Sequence, residues 1–247
     1  MQITLTSRSG IVLIGCGVAA ALALAFYQYR KNSTVRAAHG HREAATRALA
    51  EYLAAHYPQQ KALVVSNPFT LKKGQAAQIY AFEEAGLAGL RTGFGKAISS
   101  KVVFPELRGE FQKNPASVYV DPKTTTPLSF LVADDAFDKL VHENSECRLL
   151  VTLVGIPLRF RESALWKKED APKLALLLPD WRMIGDGPAI RFAFKSGKIA
   201  AAVLNKPGAP PDDNRAAADY KQDFDSRFLL VTSENIDEIL QKFPRLF

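Results

Sequence analysis

Six short apolar runs punctuate the chain: 61–66 (KALVVS), 100–105 (KVVFP with its preceding serine), 148–156 (RLLVTLVGI), 173–178 (KLALLL), 198–204 (KIAAAVL) and 227–232 (RFLLVT). Each is too short for a buried helix and is bounded by turn residues, which is the pattern of strands. The runs are almost continuously apolar instead of alternating. A strand needs that only when both of its faces are covered. Between the runs lie segments of helical or turn character, so strands and helices alternate along the chain. Alternation of this kind gives a mostly parallel sheet joined by right-handed crossovers.

The intervening segments carry their own signals. Residues 74–95 (GQAAQIYAFEEAGLAGLRTGFG) place Ala77, Tyr80, Ala81 and Leu87 on related helical faces and fade at Gly93 and Gly95. A helix over 134–145 starts at Asp134-Asp135 and aligns Phe137, Leu140 and Val141. Pro188 suits the first turn of a helix in 187–197. Ser233 suits the N-cap of a C-terminal helix whose Ile236, Ile239, Leu240 and Phe243 form a stripe. Residues 161–170 are amphipathic, a polar helix succeeds the loop at 208–214, and 116–127 fits either a strand or a loop. The expected fold is α/β: one three-layer Rossmann-like or flavodoxin-like domain over 59–247 with a mostly parallel sheet of about six strands. At the level of element order it resembles one lobe of a type I periplasmic binding protein, with no shared motif. That resemblance implies a solute-binding receptor domain as one reading of function.

Ahead of the domain, residues 10–29 form an uncharged apolar segment, preceded by a tail at 1–9. From Ile11 to Tyr27 the run makes roughly 25 Å of helix, at the lower limit for crossing a bilayer core. Tyr27 and Tyr29 suit an interfacial belt, with Arg30 and Lys31 placed to snorkel. No small-residue cleavage site succeeds the run, which favours a retained signal anchor over a cleaved signal. Leu13-Ile14-Gly15-Cys16 resembles a bacterial lipobox, but the apolar run continues well beyond Cys16. The expectation is one transmembrane helix at the cell membrane, with the bilayer as partner through 10–29. The basic residues after the run favour a cytoplasmic domain. Short N-terminal anchors commonly export the domain behind them, and the side stays open with an extracytoplasmic domain preferred. Residues 30–58 read as a juxtamembrane helix or stalk, with Ala45, Leu49, Tyr52, Leu53 and His56 at helical spacing and Pro58 as its stop. Its apolar stripe needs a partner, so it is expected to pack on the domain.

Net charge is +7, from 32 Lys and Arg against 25 Asp and Glu, and Arg30, Lys31, Arg36, Arg42 and Arg47 supply much of the excess. Beyond residue 60 the basic residues are scattered, with no basic run interleaved with aromatics, which argues against nucleic acid. The two cysteines, Cys16 and Cys147, give no disulfide framework.

Ligands of open parallel sheets bind beyond the carboxyl ends of the strands. The polar residues that end these runs are therefore the candidate ligand-binding set: Ser66, Asn67, Thr70, Asp180, Asn205, Thr232 and Ser233. The competing reading makes them turn and cap residues, since Asn, Asp and Ser commonly end strands and start helices. No catalytic residue, metal ligand or cofactor is assigned. The glycine cluster at 86–96 fails the phosphate-loop pattern, because Ala97 comes after Lys96, and fails GxGxxG, because Ile98 stands where the last glycine belongs. Lys72 and Lys73 before Gly74 could meet an anion at the start of the next helix. His142 and Cys147 lack companion ligands, and neither GxSxG nor HExxH occurs. The functional expectation is a membrane-anchored, non-catalytic binding or assembly module of the cell envelope. It would take a protein partner of the envelope or a small polar solute. The alternatives are an anchored hydrolase-like enzyme on the same scaffold and the solute-binding receptor domain.

Overall fold

The computed structural model describes residues 34–211 and 219–247. The segment 10–29, read as a transmembrane helix, lies outside the described residues, and among those described no helix is long and apolar enough to cross a membrane. All six apolar runs are strands: β1 (Lys61–Val65), β2 (Ser99–Val103), β3 (Leu149–Thr152), β4 (Lys173–Leu177), β5 (Ile199–Asn205) and β6 (Phe228–Thr232). They form one sheet in the order 2-1-3-4-5-6, parallel throughout except for β6, which runs antiparallel to β5.

Helices cover both faces, as continuous apolar strands demand. α1 (34–56), α2 (Ala77–Phe94) and α7 (Tyr220–Arg227) belong to one layer. Their Leu49, Leu53, Leu90, Phe94 and Phe224 pack with Ala62, Val64, Leu149, Val151, Leu177 and Val203 of the strands. The alternate strand residues Leu63, Val65, Leu150, Leu174 and Leu176 face α4 (Ala136–Glu143), α6 (Gly187–Lys195) and α8 (Ile236–Lys242), meeting Phe137, Ile190, Phe194, Ile236 and Ile239. Two short helices, α3 (Gly109–Lys113) and α5 (Ala164–Lys167), lie in the connections. The helix at 34–56 is thus a covering layer of the domain, with Leu49, Ala50 and Leu53 fully buried.

The glycine cluster has a packing role. Gly86, Gly89 and Gly93 form one stripe of α2 pressed onto α1. A Cβ at Gly89 would lie 2.1 Å from Thr46 Oγ1 and 2.3 Å from the Glu43 carbonyl, and one at Gly93 would lie 2.5 Å from the Arg47 carbonyl. Only glycine lets the two backbones approach so closely.

Three local features are settled by the structure. Residues 116–127 form no strand; the segment passes through a 3-10 turn at Pro115–Ser117 to another at Pro127–Phe130. The amphipathic stretch at 161–170 yields the end of a 3-10 turn at Phe160–Glu162 and the four-residue α5. Ser233, expected as the cap of the C-terminal helix, does not cap it. Asn235 occupies the N-cap of α8, and its side chain accepts from Thr232 N and donates to the Leu230 carbonyl instead of capping.

The reversal of β6 has a visible cause. Arg227, the last residue of α7, donates to the carbonyls of Pro210 and Pro211, which come after β5. The end of α7 is held beside the carboxyl end of β5, and Phe228 enters the sheet opposite Asn205. From there the chain can only run back along β5.

Candidate functional site

In strand order 2-1-3-4-5 the connections leave β1 and β3 in opposite directions, so a crevice opens between their carboxyl ends. A cleft of about 170 Å³ occupies that place. Asn67 comes after β1, Leu153 and Val154 come after β3, and Leu177 and Leu178 lie at the end of β4; Phe82 of α2 lines one side, Thr125 to Leu128 line the other, and Arg42 of α1 and Glu83 of α2 complete the lining.

Arg42 and Glu83 make the polar floor. Arg42 Nη2 donates to Glu83 Oε2 at 2.9 Å, and both side chains are almost fully buried. The other carboxylate oxygen, Glu83 Oε1, accepts from Ser66 Oγ at 2.6 Å and from Asn67 N at 3.0 Å. The guanidinium lies over the Phe82 ring, 4.3 Å from its centroid, a cation–π arrangement that keeps the charge in place. Arg42 Nε is buried with no hydrogen-bond partner among the described residues. Burial pulls the Arg42 pKa below its ordinary value, and the Glu83 charge opposes that shift. The pair is therefore a net-neutral, preformed polar group in a cleft whose remaining lining is mostly apolar.

The second wall is pinned from several directions. Asp180 caps the turn at Trp181–Met183, accepts from Thr124 Oγ1 at 2.8 Å and is bridged by Arg182, which also pairs with Asp121. The Arg182 hydrogen bonds hold the Asp180 and Asp121 carboxyls below the usual carboxylate range. Thr125 Oγ1 donates to the Leu178 carbonyl at 3.0 Å. Leu178 itself adopts φ +48, a left-handed conformation that a branched residue takes only when its surroundings impose it. Gly155, at φ +80, has Thr126 where a side chain would stand, 2.6 Å from an ideal Cβ.

The sequence-predicted residues are thus divided. Ser66 and Asn67 lie at the cleft; Ser66 is buried and committed to Glu83, while Asn67 lines the cavity and its Oδ1 caps the turn at Pro68–Leu71. Thr70 donates to the Asn67 carbonyl and is a turn residue. Asp180 serves as the clasp for the 121–125 segment. Asn205 is exposed at the carboxyl end of β5 and does not line the cleft. Because β6 is antiparallel, Thr232 pairs with Ala201, near the start of β5, so Thr232 and Ser233 sit at the opposite end of the sheet. There the neighbouring Glu234 accepts from Tyr52 Oη in the last turns of α1, and burial with the Glu234 charge pushes the Tyr52 pKa up to about 12.

Arg42, Phe82, Glu83, Thr125 and Thr126 are cleft residues that sequence reasoning misses. Glu83 carries one sequence signal: it falls in phase with Gly86, Leu90 and Gly93, so a carboxylate stands on the helix face that packs inward. Among the described residues no group of three His, Cys, Asp or Glu is arranged to hold a metal ion.

Fold and cleft together define a doubly wound, Rossmann-like α/β domain with a preformed crevice at its switch point. No protein-family model matches the chain, and no curated protein sequence matches it. Solved structures do. A carbohydrate transporter solute-binding protein from Agrobacterium radiobacter, in complex with D-arabinose, is similar with TM-score 0.46 and 14% identity over 83% of this chain and 63% of that one. A sugar ABC transport substrate-binding protein from Bordetella parapertussis gives 0.44 and 11%, over 79% and 57%. An arabinose-binding protein from Geobacillus stearothermophilus gives 0.43 and 13%, over 80% and 62%. The chain spans less than two thirds of the length of each.

Proposed function

We propose that the chain is a membrane-tethered, non-catalytic binding module that takes a small polar solute into the switch-point cleft. The observation that carries the reading is the preformed Arg42–Glu83 floor beneath a pinned wall. A site whose groups are already held spends little free energy on ordering when a ligand enters. The cleft's volume, below the roughly 300 Å³ at which drug-sized sites begin, fits a small ligand. Its apolar lining with a few fixed polar groups suits a solute that presents one apolar face and hydrogen-bonding atoms at one edge. Net neutrality of the floor favours an uncharged solute over an ion. The tether is the apolar run at 10–29, and it makes the module a single-pass protein of the cell membrane.

Calorimetric titration of the purified chain with a panel of neutral polyols, pentoses including D-arabinose, and zwitterionic amino acids tests this. The expected result is saturable 1:1 binding by at least one member, abolished by the cleft-filling variant Leu128→Trp. Absence of binding across the panel, or equal binding by the filled variant, overturns the reading.

A further inference from the structure

Among the described residues, three of the five large apolar side chains that stand exposed are at the same end of the molecule. Leu71 is 63% exposed in the turn after β1, Phe82 is 40% exposed in the first half of α2, and Tyr119 is 75% exposed in the segment that leads into the cleft residues Thr125 to Leu128. Lys72 and Lys73 adjoin Leu71 and are exposed. A shallow apolar trough, lined by Val35, Ala38, His39, Gln78, Ile79 and Phe82, runs from the cleft along the starts of α1 and α2. It shares Asn67 and Phe82 with the cleft, so the two openings adjoin.

The course of α1 fixes which end this is. α1 runs opposite to β1 and delivers the chain to the amino end of that strand, so residue 34 lies at the carboxyl end of the sheet, beside the trough. The apolar run ends at Tyr27, and only residues 28–33 separate it from residue 34. Six residues reach at most about 20 Å even when fully extended. If the run lies in a bilayer, the cleft-bearing end stays within about 20 Å of the hydrocarbon boundary, close enough to rest on the headgroups. That end also carries the two features a bilayer surface selects: apolar tips that can enter the acyl boundary and lysines that meet anionic headgroups.

We infer that the carboxyl end of the sheet is a membrane-docking face, with Leu71, Lys72, Lys73 and Phe82 seated on an anionic bilayer and the cleft opening onto the headgroup layer. The inference rests on the tether reading of residues 10–29. It orients the domain relative to the membrane and makes solute access depend on undocking.

The full chain, reconstituted into phosphatidylcholine vesicles with or without phosphatidylglycerol and carrying brominated acyl chains, tests this. Leu71→Trp is compared with Ser145→Trp, an exposed position just before β3 at the other end of the sheet. Docking predicts that the tryptophan at 71 is quenched several-fold more than the one at 145, and more in the anionic vesicles. Neutralising Lys72 and Lys73 to Gln lowers the docked-to-undocked ratio by about fivefold per lysine. Flotation of the same samples separates the two readings. A chain that floats with the vesicles while position 71 is quenched no more than 145 keeps its tether and overturns the docking face. A chain that fails to float overturns both. Emission at 71 that is blue-shifted with rising protein concentration but insensitive to brominated lipid assigns the face to a second copy, and overturns the inference.

Discussion

Glu83 accepts three hydrogen bonds, from a guanidinium, a hydroxyl and a backbone N–H, and does so in the first half of an 18-residue helix packed against another by its glycines. Removing one member of a buried ion pair leaves the other charge uncompensated, at a cost of about 3–5 kcal/mol. Arg42→Met is expected to lose that much in denaturant unfolding. Arg42→Met with Glu83→Gln is expected to recover part of the loss, because Gln keeps an acceptor for Ser66 and Asn67 without a stranded charge. Additive losses would show that the pair is not coupled. The glycine seam gives a second test. Gly89→Ala adds a Cβ against the Glu43 carbonyl, which no rotamer change can move aside, and is expected to cost about 2 kcal/mol despite the better helix propensity of alanine. Gly109→Ala meets nothing within 4 Å and is expected to leave the midpoint of unfolding unchanged or slightly raised.

Among elements, the segment over the cleft is where pH acts. The folded-state pKa values of Asp180 and Asp121 lie below their unfolded values near 3.9, because Arg182 stabilises the charged forms. Their contribution is fully present above that value and is lost as pH falls through the lower, folded values. Amide exchange over residues 121–127 is therefore expected to stay slow at neutral and mildly acidic pH and to rise below about pH 4. Arg182→Met should make exchange fast already at neutral pH, removing the dependence; a persistent acid-side rise in that variant would assign the titration elsewhere. This clasp is invisible in the sequence because Asp180 lies far along the chain from Asp121 and Thr124, and each reads locally as a turn residue. The central strands are legible for the opposite reason: burial on both faces writes itself into four to six consecutive side chains, whereas β2, expected to be covered likewise, is an exposed edge. The direction of β6 is not, since it depends on Arg227 reaching the Pro210 and Pro211 carbonyls, and with that direction goes the placement of Thr232 and Ser233. Of the cleft, only Ser66 and Asn67 are foreseeable, because a strand end is a local feature, whereas the pairing of Arg42 with Glu83 exists only once two helices are packed.

At the scale of the whole molecule, the sheet ends in two unlike edges. β6 has no exposed residue and packs with the α8 stripe, while β2 is exposed at four of its five residues and, among the described residues, has no strand on its outer side. A strand in that position is a template for another chain unless something blunts it. Here the blunting falls to Ser99, Ser100 and Lys101, and Lys101 is held in place by a 2.6 Å hydrogen bond to Asn144 Oδ1. Beyond it the sequence turns to Val102, Val103 and Phe104, a short run of strong strand formers. Lys101→Val would join that run into four consecutive apolar β-formers with no charge, the composition that pairs edge to edge. The variant is expected to self-associate well below its unfolding temperature, seen as a concentration-dependent rise in mass by light scattering. Lys101→Glu also loses the bond to Asn144 but keeps a charge on the edge, and should remain of constant mass. If both variants associate alike, the lysine matters through Asn144 and local stability; if only the valine variant does, its charge is what keeps this edge from extending into a neighbour.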